Sequence, residues 1–268
     1  MSKTFIVPDM HGNWKLALGL LEQEGIAYQD DDEEIRRLDT DTRVVQLGDL
    51  VNAVRSSVND DISATRLVGN AIDIVLIGNH EHPYFGGPAF DGFAHFYELQ
   101  HALQGLNNRG LIQAAIEVDG ILLTHAGVTR DIDQIEDWEN PNNKALEVAD
   151  ALNILWKNKE YQHAMFSTIG QLRGGRHPLG GILWSDWREP KSALLPQIVG
   201  HSVGSTWRAN YSDNDAPGFM LERPYEDATP AKVQTLCIDI GAGKKASAIL
   251  GAWIDEGKVT IVEYRKQD

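Results

Sequence analysis

The sequence predicts an α/β protein of mixed character, with mixed sheets and helices outside them, and two observations predict it. Over the first hundred residues, apolar β-branched runs alternate with helical periodicity, as strands and crossover helices do. In the last part of the chain, strand-like runs are joined through short polar turns, and these hairpins require antiparallel neighbours. A mixed sheet system satisfies both patterns. With no repeat, low-complexity tract or linker in view, residues 1–268 form one predicted domain, with a long helical and irregular segment over about 128–196.

Thr4 to Val7 is the first predicted strand. Asn13 caps a helix through about Glu24 that carries Leu16, Ala17, Leu20 and Leu21 on one face, and Gly25 ends it. The run Asp30 to Glu34 is a solvated acidic loop. Arg43 to Leu47 is a buried strand ending at Gly48 and Asp49. Asp60 or Asp61 caps a short helix with Ile62 and Leu67 inward, and Ile72 to Ile77 is a strand running into Gly78. After a Gly/Pro-rich loop comes a helix with Phe93, Phe96, Tyr97 and Leu103 as its core stripe. Leu111 to Val118 and Ile121 to Thr124 flank Asp119-Gly120, a strong hairpin signal. A helix spans about Lys144 to Lys159 with Leu152 and Trp156 inward; Ser167 to Pro190 is irregular and rich in Gly, Arg and Trp. Gln197 to Val199 is a short strand, and residues 204–231 are polar and turn-rich. Val233 to Ile240, Ala246 to Ile254 and Val259 to Tyr264 close the chain as strands.

Composition removes several function classes. A formal net charge of −15 argues against general binding of a nucleic-acid backbone, which needs a basic surface. No run of 18 apolar residues exists, so no membrane span is expected. The start of the chain moves directly into a strand, without the apolar length of a secretory signal. The lone Cys237 precludes an internal disulfide, fits a reducing cytoplasm and reads as a small buried hydrophobe.

Five apolar runs end in metal-type ligands: Asp9-Met10-His11, Asp49, Asn79-His80, His125 and His201. Any one strand-end His is more often a structural residue than a ligand. Their joint occurrence is what turn chemistry does not explain. Asp9 and His11, two apart on an extended segment, face the same side. Carboxylate, amide oxygen and imidazole together suit Mn, Fe or Zn rather than a thiolate site. Gly12, Gly48, Gly78, Gly127 and Gly200 beside them permit tight turns into one crevice.

Asp9-x-His11-Gly12, Gly48-Asp49-x-Val51, Gly78-Asn79-His80-Glu81, His125-Ala126-Gly127 and Gly200-His201 together resemble the five signature blocks of the calcineurin-like metallophosphoesterases. Gly200-His201-Ser202-Val203 lacks the second His of the broader superfamily, and Leu183-Trp184-Ser185-Asp186 resembles a stretch of the serine/threonine phosphatases. Both details point to the phosphoprotein-phosphatase branch, which includes bacterial diadenosine tetraphosphatase relatives. The resemblance implies an αββα sandwich of two mixed sheets flanked by helices, with a two-metal site at the strand ends. Asp9, His11 and Asp49 would hold one ion, and Asp49 would bridge to a second held by Asn79, His125 and His201. Manganese is the first choice, with iron or zinc as alternatives. A shared water, activated between the ions, would attack phosphorus. His80 would protonate the leaving oxygen, and Asn79 would also meet the phosphate.

Two positions depart from the family pattern. Where the family has Asp, orienting the catalytic His, and Arg, gripping phosphate, this chain has Asn52 and Ala53. Asn52 can accept a hydrogen bond but cannot stabilise a charged imidazolium as a carboxylate does, which predicts a weaker acid step. Arg55, Arg173, Arg176, Arg188 and Arg208 are the candidates to replace the clamp, since guanidinium matches phosphate bidentately. The expected substrate is a phosphoprotein, or alternatively a dinucleoside polyphosphate or other nucleotide. The segment between His125 and His201 would decide which; its Trp184 or Trp187 could stack a base, although Trp more often packs. A weak or inactive phosphatase-like binding module is the remaining alternative, supported by Asn52 and Ala53 alone.

Overall fold

The computed structural model describes residues 3–51, 57–129, 145–189, 195–211, 218–222, 231–241 and 246–266. Its strands β1 (Thr4–Val7), β4 (Arg43–Gln46), β5 (Ile74–Leu76) and β6 (Ile112–Gln113) pair in parallel. Three helices lie in the connections between them, α1 (Trp14–Gln23), α2 (Val58–Ala71) and α3 (Tyr97–Asn108). The C-terminal hairpin β13 (Ala248–Asp255) and β14 (Lys258–Arg265) lies antiparallel to β1 and continues the ladder. Beyond it come β11 (Phe219–Glu222), β12 (Ala231–Cys237), β9 (Gln197–Val199), β8 (Ile121–Leu123) and β7 (Ile116–Val118), with β10 (Arg208–Tyr211) also on β12. Twelve strands thus form one sheet of mixed direction, eleven along a single hydrogen-bonded path and β10 branching from β12.

Side-chain alternation shows how that path encloses its core. Ile6, Val45, Leu47 and Leu76 join Leu123, Ile198, Leu221 and Leu236 in one buried cluster, so the two halves of the path share a face. Phe5, Val7, Val44 and Val75 point the other way and pack with Leu16 and Leu20 of α1 and with Leu67 and Val68 of α2. Strands buried on both faces need near-continuous apolar runs, as β1, β4 and β5 have. This is the mixed α/β architecture that the sequence predicts.

Several details differ from the sequence reading. Helix α2 is capped by Ser57, whose Oγ accepts from the Asp60 N–H while the Asp60 carboxylate accepts from the Ser57 N–H; Asp60 and Asp61 lie in the first turn instead. The helix after the Gly/Pro-rich loop, α3 (Tyr97–Asn108), begins later than its aromatic stripe. Leu99, Leu103 and Leu106 are its buried face, Tyr97 is exposed, and Phe93 and Phe96 pack before the helix starts. The acidic run is the loop of a small hairpin, β2 (Ala27–Gln29) and β3 (Ile35–Arg37), in which Asp30 accepts from the Asp32 and Glu34 N–H groups. Strands β10 and β11 lie inside the stretch read as turns, because each is four residues long beside turn-forming sequence.

The predicted strand 111–118 is two strands, broken where Ala114 and Ala115 bond to Asn153 of α4 (Ala145–Lys157) instead of to a ladder. The Asn153 amide accepts from both N–H groups at 2.8 and 3.3 Å and donates to the Ala115 carbonyl at 2.8 Å. Asn153→Ala leaves these backbone groups without partners and is expected to cost about 2 kcal/mol. Urea unfolding checks this; a loss below about 0.5 kcal/mol, the size of an ordinary surface change, would refute it.

Candidate metal centre

The ends of β1, β4, β5, β8 and β9 bring five loops together. The loops after β1 and β4 are joined by backbone bonds from Met10, His11 and Gly12 to the carbonyls of Asp49 and Leu50, at 2.8–3.0 Å. Buried Gln46 ties the same loops, donating to the Pro8 and Gly48 carbonyls and accepting from the Gly48 N–H. Glu81, fully buried, joins the loops after β4 and β5: its carboxylate accepts from the N–H groups of Gly78, Asp49 and Val51 at 3.0–3.1 Å. His125 reaches across to β4, its Nδ1 2.9 Å from the Leu47 carbonyl, and the Gly200 N–H donates to the His125 carbonyl.

The backbone is strained where these loops meet. His11, Asp49 and His201 have φ of 47°, 50° and 63°, a left-handed region that non-glycine residues rarely occupy. Such strain is retained where surrounding structure over-determines it, commonly at functional sites. Gly200 permits a close approach: a Cβ there would lie 2.0 Å from Asp9 Oδ1.

Asp49 sits at the centre. His11 Nε2 and His80 Nε2 each lie 3.8 Å from its Oδ2, and His125 Nε2 lies 3.4 Å from its Oδ1. Its Oδ1 also accepts the His80 backbone N–H at 3.0 Å. Two groups of three ligand atoms result among the described residues, His11–Asp49–His80 and Asp49–His125–His201, which share Asp49. Asn79 Oδ1 and His201 Nδ1 are each 3.0 Å from His125 Nε2. Asp9 stands outside both triads; its Oδ2 accepts from the His201 N–H at 2.9 Å and its Oδ1 has no partner.

The electrostatics are those of a polar cluster removed from water. Burial pushes the Asp49 carboxyl up, but the imidazoles of His125, His80, His11 and His201 outweigh it and hold the group below the usual carboxylate range. Burial, with the charges of Asp239 and Asp49, pushes Asp9 well up. Burial depresses His11 to about 4, and burial with the neighbouring His125 and Arg173 holds His201 well below the usual imidazole range. Neutral imidazoles beside carboxylates are the state that metal binding requires.

Divalent ions fit these residues. If His125 Nδ1 donates to the Leu47 carbonyl, its Nε2 carries a lone pair. That lone pair faces the Asn79 amide oxygen and a second imidazole nitrogen, so electron-rich atoms crowd one point without a shared proton for each. A cation resolves that crowding, and the unpartnered Asp9 Oδ1 supplies a further carboxylate oxygen.

The proposed phosphate-gripping residues lie more scattered. Arg173 is 3.2 Å from Asp186 and donates to the His201 carbonyl and Ser202 Oγ, behind the His201 loop. Arg188 pairs with the same Asp186 at 2.7 Å. Arg208 bonds to the Ser202 carbonyl and to Cys237 Sγ, and its guanidinium lies 5.6 Å from the Trp187 ring. Arg176 is exposed and bonds to nothing among the described residues. Asn52, Ala53 and Arg55 lie outside the described residues.

Sequence reasoning did not assign roles to Gln46, Glu81 or Asp239. Gln46 gave a signal as a lone amide in an apolar strand, and Glu81 as part of Gly78-Asn79-His80-Glu81. Asp239 gave none; it is buried beside Asp9, its Oδ2 unpartnered.

The fold and the clustered ligands define a metallophosphoesterase-type protein. The calcineurin-like phosphoesterase family matches residues 2–205, and the chain belongs to that family. No curated protein matches the sequence. A cold-active protein-tyrosine phosphatase of a psychrophilic Shewanella species superposes with a TM-score of 0.58 at 15% identity, covering 100% of this chain and 81% of that one. A serine/threonine phosphatase of Saccharomyces cerevisiae gives 0.45 at 10% identity, with 100% and 81% covered. A protein provisionally named a diadenosine tetraphosphatase gives 0.47 at 14% identity, with 100% and 95% covered. The first of these likenesses supports the fold. The family makes the chain a metal-dependent hydrolase of phosphoester bonds. No helix among the described residues is long and apolar enough to cross a membrane.

Proposed function

We propose that this protein hydrolyses phosphate monoesters on polypeptides, with two divalent ions held in the shared crevice. The observation that carries the reading is Asp49, which is shared by both ligand triads, its Oδ2 facing His11 and His80 and its Oδ1 facing His125. Asp9, His11 and Asp49 would hold one ion, and Asp49, Asn79, His125 and His201 the other, with manganese the first choice. When bound, such ions supply a nucleophilic water at neutral pH and neutralise charge on the phosphoryl oxygens.

The chain's own residues supply the rest. His80 is the proposed proton donor to the leaving oxygen: its ring is half-buried at the crevice and its backbone N–H is fixed by Asp49. Asn52 is proposed to orient it. Asn79 projects its amide beside His125, where it would meet both ion and phosphate. Of the described candidates, Arg173, Arg188 and Arg208 are held by Asp186, Ser202 or Cys237, so we place the phosphate-gripping role on Arg176 ahead of them; Arg55, also a candidate for it, lies outside the described residues. The segment 128–196 is the proposed specificity region.

The test is hydrolysis of an aryl phosphate with added Mn²⁺, with and without chelator, followed by a phosphopeptide against diadenosine tetraphosphate. Chelation is expected to remove activity and re-addition of Mn²⁺ to restore it, with the phosphopeptide cleaved faster. Faster cleavage of the dinucleotide would establish the pyrophosphohydrolase reading instead, and inactivity with every divalent metal would leave only a binding module.

A further inference from the structure

Six rings form a continuous arc at the crevice. Centroid distances are 4.8 Å from His11 to His80, 4.5 Å from His80 to Phe90, and 6.4 Å from Phe90 to Trp184. They continue at 6.2 Å from Trp184 to His201 and 4.8 Å from His201 to His125. Four of the rings are imidazoles of the candidate centre. Phe90 and Trp184 are not ligands, yet they close the arc between the two triads. Phe90 is only partly buried and is propped from behind by Phe93, with centroids 5.6 Å apart. Trp184 is buried, and its Nε1 has no hydrogen-bond partner among the described residues.

We propose that Phe90 and Trp184 form a slot for the ring of an aryl phosphoester, so that the preferred substrate is a phosphotyrosine side chain. The inference rests on the phosphomonoesterase reading above and narrows it. Phe90 lies against His80, the proposed donor to the leaving oxygen, with the two ring planes 39° apart. A group seated on Phe90 is therefore adjacent to that oxygen. In phosphotyrosine the ring is bonded directly to the ester oxygen. In phosphoserine an aliphatic carbon takes that place, and in a nucleotide the base stands off by a sugar. Only the aryl ester puts a flat apolar face where the slot offers one, and aromatic pairs prefer the offset or edge-on arrangements that two tilted walls allow.

The acid step supports the same choice. Water adds to phosphorus, the P–O(aryl) bond breaks, its electron pair goes to the phenolic oxygen, and the proton comes from His80; the products are tyrosine and inorganic phosphate. Tyrosine's phenol has a pKa of about 10, far below that of an aliphatic alcohol, so its departure demands less of the acid.

Binding must be separated from the inherently easier departure of a phenol, so the decisive measurement is competitive inhibition by phenylphosphonate against methylphosphonate in the Mn²⁺-loaded enzyme. The parent is expected to bind phenylphosphonate about tenfold tighter, the scale of a good aromatic contact. Phe90→Leu, which keeps apolar bulk without a ring, should lower that ratio severalfold, and Phe90→Tyr should restore it. The kcat/KM ratio for phosphotyrosine over phosphoserine peptides of one sequence should move in parallel. A parent ratio near one, or a ratio unchanged in Phe90→Leu, overturns the slot while leaving the phosphoesterase reading intact. Failure of the parent to hydrolyse any phosphoester with Mn²⁺ overturns that reading and the slot with it.

Discussion

Asp49→Asn should lower turnover by more than ~10²-fold and reduce bound metal from two ions per chain to one. Partners that merely stand behind ligands cost ~10–100-fold when mutated, and Asp49 is shared between both triads. The asymmetry follows from its contacts. Oδ1 accepts the His80 N–H and faces His125, while Oδ2 faces His11 and His80. An asparagine keeps one oxygen, and the His80 N–H selects it for the Oδ1 position. The amide NH₂ then replaces Oδ2 and presents hydrogens to His11 and His80, where a cation has no ligand. The charge that holds four imidazoles around one carboxylate is also lost. Metal analysis of the purified variant, alongside aryl phosphate hydrolysis, checks both parts. Two ions per chain with parental turnover would refute the bridging assignment.

The strand ends were legible because the pattern that buries a strand also ends abruptly. β1, β4 and β5 are apolar on both faces, so Asp9, Asp49 and Asn79 stand out as polar residues where the run stops. The same logic found His125 and His201 at the ends of β8 and β9. Phe93, Phe96 and Tyr97 were misplaced because three aromatics within five residues satisfy helical spacing by composition, whereas the helix begins at Tyr97 and buries leucines. Local spacing also cannot reveal which backbone groups a distant side chain will serve. Asn153 replaces ladder bonds 38 and 39 residues away, and Gln46 and Glu81 bond to loops brought near only by the fold. Phe90 drew no reading from the sequence, because its place beside His80 depends on the path of an irregular loop.

Glu81 is where that non-local bonding has the largest expected effect on stability. Glu81→Ala should lower stability by about 3–5 kcal/mol, a large share of what a typical domain has. The carboxylate is fully buried and accepts from three N–H groups of two loops. Each buried donor left unmade costs ~1–3 kcal/mol, and water entering the vacated space recovers part of the sum. Little relaxation is available nearby, because Gly78 already lies so close that a Cβ there would meet the Asp49 backbone and Glu81 Oε2. Burial and the Asp49 charge push the Glu81 carboxyl up, to about 8, against the three N–H groups that hold it down. Above pH 8, where the parent carboxyl is ionised, Glu81→Gln distinguishes acceptor from charge: it removes the charge but keeps one acceptor oxygen, and its NH₂ meets an N–H donor at the other position. Gln should therefore fall between parent and Ala. Melting in excess chelator isolates this effect from metal binding, and at ~2–4 °C per kcal/mol the Ala variant should melt roughly 10 °C lower. An Ala variant that melts within a degree or two of the parent would show that the two loops hold their strained positions without Glu81.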